Sequence, residues 1–240
     1  MALLGKLKIK ESRYTEVLKR AKRNGLCHTY FSLNGDRYTG EWKDGRRHGT
    51  GAQEFKKSRT MYEGEWKQNT RDGYGVLSKL LPSSKEYQIV YKGTWRNDLR
   101  NGFGTNIYSS SSRYDGEWFM NERCGWGRMY YENGDVYEGQ WMDDKPHGQG
   151  TLFLKDGNSY KGFMKAGKKH GHGRFFYRNL DQVYEGFWQN DTPVCGMLCQ
   201  NKWKTTPSLE SSLIPAMMLR HAQRSSEAQT GTIPVQEKKE

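Results

Sequence analysis

Residues 37–43 read Arg-Tyr-Thr-Gly-Glu-Trp-Lys, with Tyr38, Gly40 and Trp42 alternating with charged or hydroxyl side chains. A period of two puts the tyrosine, glycine and tryptophan on one face of a β-strand and Thr39 and Glu41 on the other. The pattern returns as Tyr62-x-Gly64-x-Trp66, Tyr91-x-Gly93-x-Trp95, Tyr114-x-Gly116-x-Trp118, Tyr137-x-Gly139-x-Trp141, Tyr160-x-Gly162-x-Met164 and Tyr184-x-Gly186-x-Trp188, at steps of 24, 29, 23, 23, 23 and 24 residues. A Gly-x-Gly follows each of the first six tyrosines by 11 residues: Gly49/Gly51, Gly73/Gly75, Gly102/Gly104, Gly125/Gly127, Gly148/Gly150 and Gly171/Gly173. A fixed period in the low twenties predicts an array of stacked supersecondary units.

Each unit reads as a β-hairpin. The third residue after each aromatic strand is Gly45, Asn69, Asp98, Asn121, Asp144, Gly167 or Asp191, the types that tolerate positive φ best, and it marks a tight turn. The Gly-x-Gly is expected to begin the return strand, and Asn34-Gly35, Asn133-Gly134 and Asp156-Gly157 to turn the chain into the next unit. The glycines Gly40, Gly49, Gly51, Gly64, Gly73, Gly75, Gly93, Gly116, Gly139, Gly148 and Gly150 are read as structural. The middle glycine of each aromatic strand leaves a hole that a neighbouring strand's ring fills. The predicted fold is all-β: an elongated single-layer antiparallel ribbon of stacked hairpins. A short N-terminal helix precedes it and a mostly disordered tail follows.

Composition supports local rather than deep burial. Only 34% of the 240 residues are apolar, whereas 13% are aromatic. Large aromatics bury about 150–250 Å² each, enough to hold a thin structure together. No run approaches the roughly 20 apolar residues a membrane helix needs, and the apolar start is too short for a signal peptide. Cys27, Cys124, Cys195 and Cys199 show neither a disulfide framework nor zinc spacing, so they are read as free thiols in a reducing, cytoplasmic setting.

Tyr-x-Gly-x-Trp followed by His-Gly-x-Gly, as in Tyr137 through Gly150, resembles the MORN repeat. The resemblance covers residues 26 to about 198. The stretches RNGLCHTYFSLNGDRYTGEW, CGWGRMYYENGDVYEGQW and HGRFFYRNLDQVYEGFW are similar to a small vertebrate member of that family. Three departures stand out: Met164 in the sixth tryptophan position, Leu198 in the place of the last glycine with a unit one residue longer, and extra residues around 80–90. The resulting layout is a basic segment 1–24, a capping strand, and repeats at about 38–61, 62–90, 91–113, 114–136, 137–159, 160–183 and 184–199, then a polar tail from 200 to 240. The resemblance implies a part in sperm formation or sperm and ciliary structure. It also implies placement at the acrosome, a cytoplasmic vesicle or the flagellum, partners that are sperm-assembly, axonemal or regulatory proteins, and a tendency to homodimerise.

The flanks differ from the array. Residues 1–23 carry eight Lys/Arg against two Glu, half of the chain's net +12. From Ser12 the pattern predicts a helix with Tyr14, Val17, Leu18 and Ala21 on one face, either covering the edge of the first hairpin or meeting an anionic surface. In the second reading Lys6, Lys8, Lys10, Lys19, Arg20, Lys22 and Arg23 make the contact. In the tail, residues 215–223 suggest a short helix opened by proline, with Met217, Met218 and Leu219 as docking residues.

Candidate chemistry is sparse. The Gly-x-Gly pairs lack the lysine-serine/threonine ending of a phosphate loop. His48, His147 and His170 occupy one repeat position, which speaks for a structural role, and no metal is expected. With about 175 residues in the array, neither flank has room for a catalytic domain, so no enzyme activity and no cofactor are expected. What remains is a scaffold whose rings serve as anchors for partner proteins: Tyr38, Trp42, Tyr62, Trp66, Tyr91, Trp95, Tyr114, Trp118, Tyr137 and Trp141. The opposite face, with Glu41, Glu65, Glu117 and Glu138 against Arg37, Lys92 and Lys161, is read as solvated surface. Membrane binding would rest on the N-terminal cluster, because the array itself nets only +4. Nucleic acid is a poor fit once ring packing accounts for the aromatics.

Overall fold

The computed structural model describes residues 22–82 and 86–201. The N-terminal helix, the basic candidates Lys6, Lys8, Lys10, Lys19 and Arg20, and the tail with Met217, Met218 and Leu219 lie outside the described residues. Lys22 and Arg23 precede the first strand and are not helical.

The chain divides into two units, described here one at a time: residues up to Tyr108 with Phe119–Asn121, and Ser109–Trp118 with the residues from Glu122 on. The first holds β1 (Gly25–Phe31), β2 (Arg37–Lys43), β3 (Arg46–Phe55), β4 (Thr60–Lys67), β5 (Thr70–Leu80), β6 (Tyr87–Arg96) and β7 (Leu99–Ile107). The second holds β8 (Arg113–Phe119, its last residue grouped with the first unit), β9 (Glu122–Tyr130), β10 (Val136–Met142), β11 (Lys145–Phe153), β12 (Ser159–Lys165), β13 (Lys168–Tyr177), β14 (Gln182–Gln189) and β15 (Thr192–Gln200). In each unit the strands lie side by side in sequence order as one antiparallel layer. Among the described residues there is no α-helix, only a single 3-10 turn at Arg178–Leu180. The all-β, single-layer expectation therefore holds.

Alternation along the aromatic strands is as the sequence predicts: β2 buries Tyr38, Gly40 and Trp42 and exposes the residues between. The hairpin turns have positive φ at both central positions, for example Gln68 (51°) and Asn69 (77°), or Asp143 (51°) and Asp144 (62°). That is the type I′ turn whose twist matches the strands. The third residue was readable in the sequence; the second was not, because Gln68, Met120 and Ala166 also take positive φ there.

The Gly-x-Gly sits inside the return strand rather than at its start. In the first hairpin Gly40 pairs with Gly51, but Trp42 pairs with Arg47, so the return strand carries extra residues in a bulge around Gly49. Gly49 has φ of 60°, which a side chain rarely adopts. The second glycine is bare because the tyrosine of the same hairpin lies across it. The Tyr38 phenol covers Gly51 and donates to the Glu41 carbonyl oxygen at 2.9 Å. The hole beside Gly40 is thus filled by the facing Gly51 backbone and by the ring of its own strand, not by a ring from elsewhere.

Two further details correct the sequence reading. In the last hairpin Gly186 pairs with Gly196 and Trp188 with Pro193. Gly196 therefore holds the second-glycine position, and the turn-to-glycine segment is one residue shorter than in the other hairpins, not longer. The extra residues near 80–90 lengthen β5 and β6, whose register shifts between Leu77 and Ser78.

Candidate cation and aromatic face

The tyrosines and tryptophans interlock as a staircase of edge-on rings. Trp66 meets Tyr62 of its own strand at 5.1 Å between centroids and Tyr38 of the preceding repeat at 5.6 Å. Trp95 likewise meets Tyr91 and Tyr62, and in the second unit Trp141 meets Tyr137 and Tyr114. Each such pair contributes about 0.5–1.5 kcal/mol beyond its buried area. The indole N–H groups reach back as well: Trp66 Nε1 donates to Gly51 O at 3.0 Å, and Trp95, Trp141 and Trp188 donate to Gly75, Gly127 and Gly173 in the same way. Trp42 has no equivalent glycine before it, and its Nε1 is buried without an acceptor.

A second device runs along the same face. In the hairpins after the first, the third turn residue sends its backbone N–H to the preceding hairpin's return strand, and where it is Asn or Asp its side chain completes the latch. Asp98 N donates to Arg71 O at 3.0 Å, while Asp98 Oδ1 accepts from Arg71 N at 3.0 Å and Arg71 Nε at 2.8 Å. The Arg71 guanidinium then lies 4.2 Å from the centroid of Trp95. Arg47 with Asn69 over Trp66, and Arg123 with Asp144 over Trp141, repeat the arrangement. Arg100 makes the same bonds to Asn121, and Lys169 donates its backbone N–H to Asp191 Oδ1 and places its ammonium over Trp188. Stacked cations of this kind are each worth about 0.5–2 kcal/mol, more as water is excluded.

One joint departs from the rule. Pro146 stands where the arginine should be and has no N–H, and the residue facing it is Gly167, the one turn residue after Gly45 without a side-chain acceptor. Only the backbone bond from Gly167 N to Pro146 O, 2.8 Å, survives there. Met164 stands in the tryptophan position of the same joint, so the indole bond is absent too.

The sequence reading made the rings themselves the contact surface; burial takes them out of it. Tyr62, Tyr114 and Tyr137 are 0% exposed, and Tyr38, Tyr91, Trp42, Trp66, Trp95, Trp118 and Trp141 are also buried, because each ring is packed against its neighbours. Burial pushes the phenols of Tyr38 and Tyr160 up to about 12, and raises those of Tyr62, Tyr91 and Tyr137 still further. What a partner can touch is the rim above them. In the first unit this is a groove of about 360 Å³ lined by Arg47, Phe55, Ser58, Thr60, Trp66, Asn69, Arg71, Leu77 and Asp98. Of the basic candidates, Arg23 is committed to the sheet, 4.1 Å over Tyr30 and 4.9 Å over Trp42, and Lys22 lies beside Gly45.

The opposite face is more than solvated charge. Glu41 Oε1 accepts Thr50 N at 3.0 Å, and Glu65 and Glu117 accept Tyr74 N and Trp126 N, so these carboxylates cap the bulges. The bonds from Thr50 hold the Glu41 carboxyl below its usual range. Glu138 pairs with Arg128, whose Nε donates at 3.0 Å, and Arg37 donates to Glu54. The signal missed in the sequence was the recurrence of Arg47, Arg71, Arg100, Arg123 and Lys169 five residues after the tryptophan position. It was open to inspection, but its meaning depends on a partner about 22 residues away. Among the described residues no cluster of three or more metal-ligating side chains forms, and His170 Nδ1 is buried without a hydrogen bond.

The arrangement offers a cationic rim over an apolar floor, suited to non-covalent recognition of an extended or helical segment. No curated protein matches the chain. The family model of the MORN repeat matches residues 38–57, 62–79, 91–113, 114–136, 137–159 and 160–182, the stretches that form successive hairpins here. The chain belongs to the MORN repeat family.

Proposed function

We propose that this protein is a non-catalytic scaffold that binds partner proteins through its MORN-repeat sheet, with the groove beside Arg47 and Arg71 as a contact point. The observation that supports this reading is the groove itself: two guanidiniums held rigid by Asn69 and Asp98 above a floor of Trp66, Phe55 and Leu77. Rigid arginines lose little freedom on binding and make good anchors for a partner's carboxylates or carbonyls. The setting proposed with it is cytoplasmic, in sperm formation or in the acrosome, vesicle or flagellum, with sperm-assembly, axonemal or regulatory proteins as partners. It rests on the likeness to a small vertebrate member of the family, as does self-association into a homodimer.

A pull-down from testis or ciliated tissue with the full chain and its Ser58→Trp variant tests it. Ser58 is exposed on the groove rim and takes no part in the latch. The expectation is a set of partners retained through high salt by the parent and lost by the variant. If the variant keeps the same partners, the groove is not the contact. If only anionic lipids are recovered, and salt removes them, binding through the basic N-terminus replaces this reading.

A further inference from the structure

The bulge-capping position ahead of each tryptophan is Glu41, Glu65, Thr94, Glu117 and Gln140 in the first five hairpins. Each places an oxygen against the return strand, as Gln140 Oε1 does on Gln149 N at 2.8 Å and the Thr94 hydroxyl does on Phe103 O. In the last two hairpins the position holds Phe163 and Phe187, which carry no oxygen. The Phe163 ring lies over Gly171, the place the carboxylates occupy over Gly49 and Gly125. A local structural role has been given up at two adjacent repeats in favour of apolar surface, and such departures mark functional positions.

Each ring is flanked by a histidine. His147 meets Phe163 edge-on at 6.0 Å and His172 meets Phe187 at 5.5 Å. Phe187 is 54% exposed, Met197 on the neighbouring strand is 76% exposed, and Cys195, paired with Phe187, is exposed beside them. The strand bearing Cys195 and Met197, β15, is an edge among the described residues and has no charged residue between Thr192 and Asn201, where natural edges usually carry one.

We propose that this patch is covered by the chain's own segment Leu213-Ile-Pro-Ala-Met-Met-Leu219. Three observations select that occupant. The chain leaves β15 at Asn201, which is buried and held by a bond from its N–H to Asp181 O at 2.9 Å, so the tail starts on the patch's own strand, about 20 Å along it from Cys195. The eleven residues 202–212 reach about 40 Å when extended, while about 20 Å along the strand and about 14 Å across three strand spacings, from β15 back to β12, combine to about 24 Å. Residues 213–219 are the longest apolar run after Asn201 and carry no charge, which suits the exposed Phe187, Cys195 and Met197 beside an Arg174–Glu185 pair that is already neutralised. This cover is separate from the groove and independent of it.

Cys195 reports on the cover. The full chain is labelled under reducing conditions with a maleimide, and modification of each cysteine is followed by peptide mass spectrometry. It is compared with the full-chain variant Met217→Ser/Met218→Ser/Leu219→Ser. The expected result is labelling of Cys195 several-fold faster in the variant, with Cys124 unchanged. Equal rates at Cys195 overturn the proposal. Protection that rises with protein concentration, together with a doubled mass, also overturns it by making a second copy the occupant. The Phe187→Ser variant supplies a second reading, because it should speed hydrogen exchange in 213–219. No change there counts equally against the proposal.

Discussion

The Pro146–Gly167 joint permits a gain-of-interaction experiment. Replacing Pro146 with arginine restores the N–H, and replacing Gly167 with asparagine restores the acceptor at a φ of 85° that asparagine tolerates. Neither change alone makes the latch. Pro146→Arg leaves its N–H facing a bare glycine and returns freedom to the unfolded chain, at a cost of about 0.5–1 kcal/mol. Gly167→Asn presents an oxygen to a proline nitrogen that cannot donate. Together they form the bonds seen where Arg100 N meets Asn121 Oδ1 at 2.8 Å and the Arg100 guanidinium meets Asn121 O at 3.0 Å. One neutral amide bond is worth about 0.5–1.5 kcal/mol. The guanidinium bond goes to a backbone carbonyl that Gly167 already has and so does not enter the coupling, and no stacking is gained over Met164; a coupling energy of about 0.5–1.5 kcal/mol is expected. Native-state hydrogen exchange on β11 to β13 measures it in a four-protein double-mutant cycle, because local opening energies do not require the chain to unfold in one step. A coupling within about 0.3 kcal/mol of zero would refute the latch as an energetic element.

Three further outcomes are expected. Gly64→Val should destabilise the first unit by about 3 kcal/mol or more in urea denaturation, because a Cβ there overlaps Gly75 Cα and lies 2.5 Å from the Tyr74 carbonyl oxygen; a midpoint equal to the parent's would sink the packing account. Asp98→Asn should cost under about 1 kcal/mol, since the exposed charge matters little, while Asp98→Gly should cost about 1–3 through the unsatisfied Arg71 N–H; equal losses would mean that charge rather than the acceptor holds the joint. Tyr38 and Tyr160 ionise near 12 in the folded chain and near 10 when unfolded, so their contribution is whole below pH 10 and is lost between pH 10 and 12. Tyrosinate absorbance should then rise together with loss of the β circular-dichroism signal above pH 10; ionisation of these phenols with the sheet intact would show that they are not sealed.

The strand faces, the turn positions and the repeat period were legible because each is local: Tyr38, Gly40 and Trp42 betray their shared face within five residues. The roles of Glu41 and Arg71 were not, since both depend on partners in other strands, Thr50 and Asp98. Exposure of the rings misled for a related reason. An aromatic-rich sequence looks like a binding surface until the stacking of Tyr62 on Trp66 and Trp95 shows where that surface is spent. The register of the last hairpin was hidden too, because nothing local says that Gly196 rather than Leu198 faces Gly186.

Strand order has a kinetic consequence. Within each unit every strand pairs only with its immediate sequence neighbours, as Gly40 with Gly51 and Gly51 with Gly64. The contact order stays low however many hairpins are added, and no long loop has to close before a pairing is rewarded. Most all-β domains fold in milliseconds to seconds because their pairings are distant in sequence. Here each unit should zip from any nucleated hairpin outward, at rates nearer those of small helical bundles.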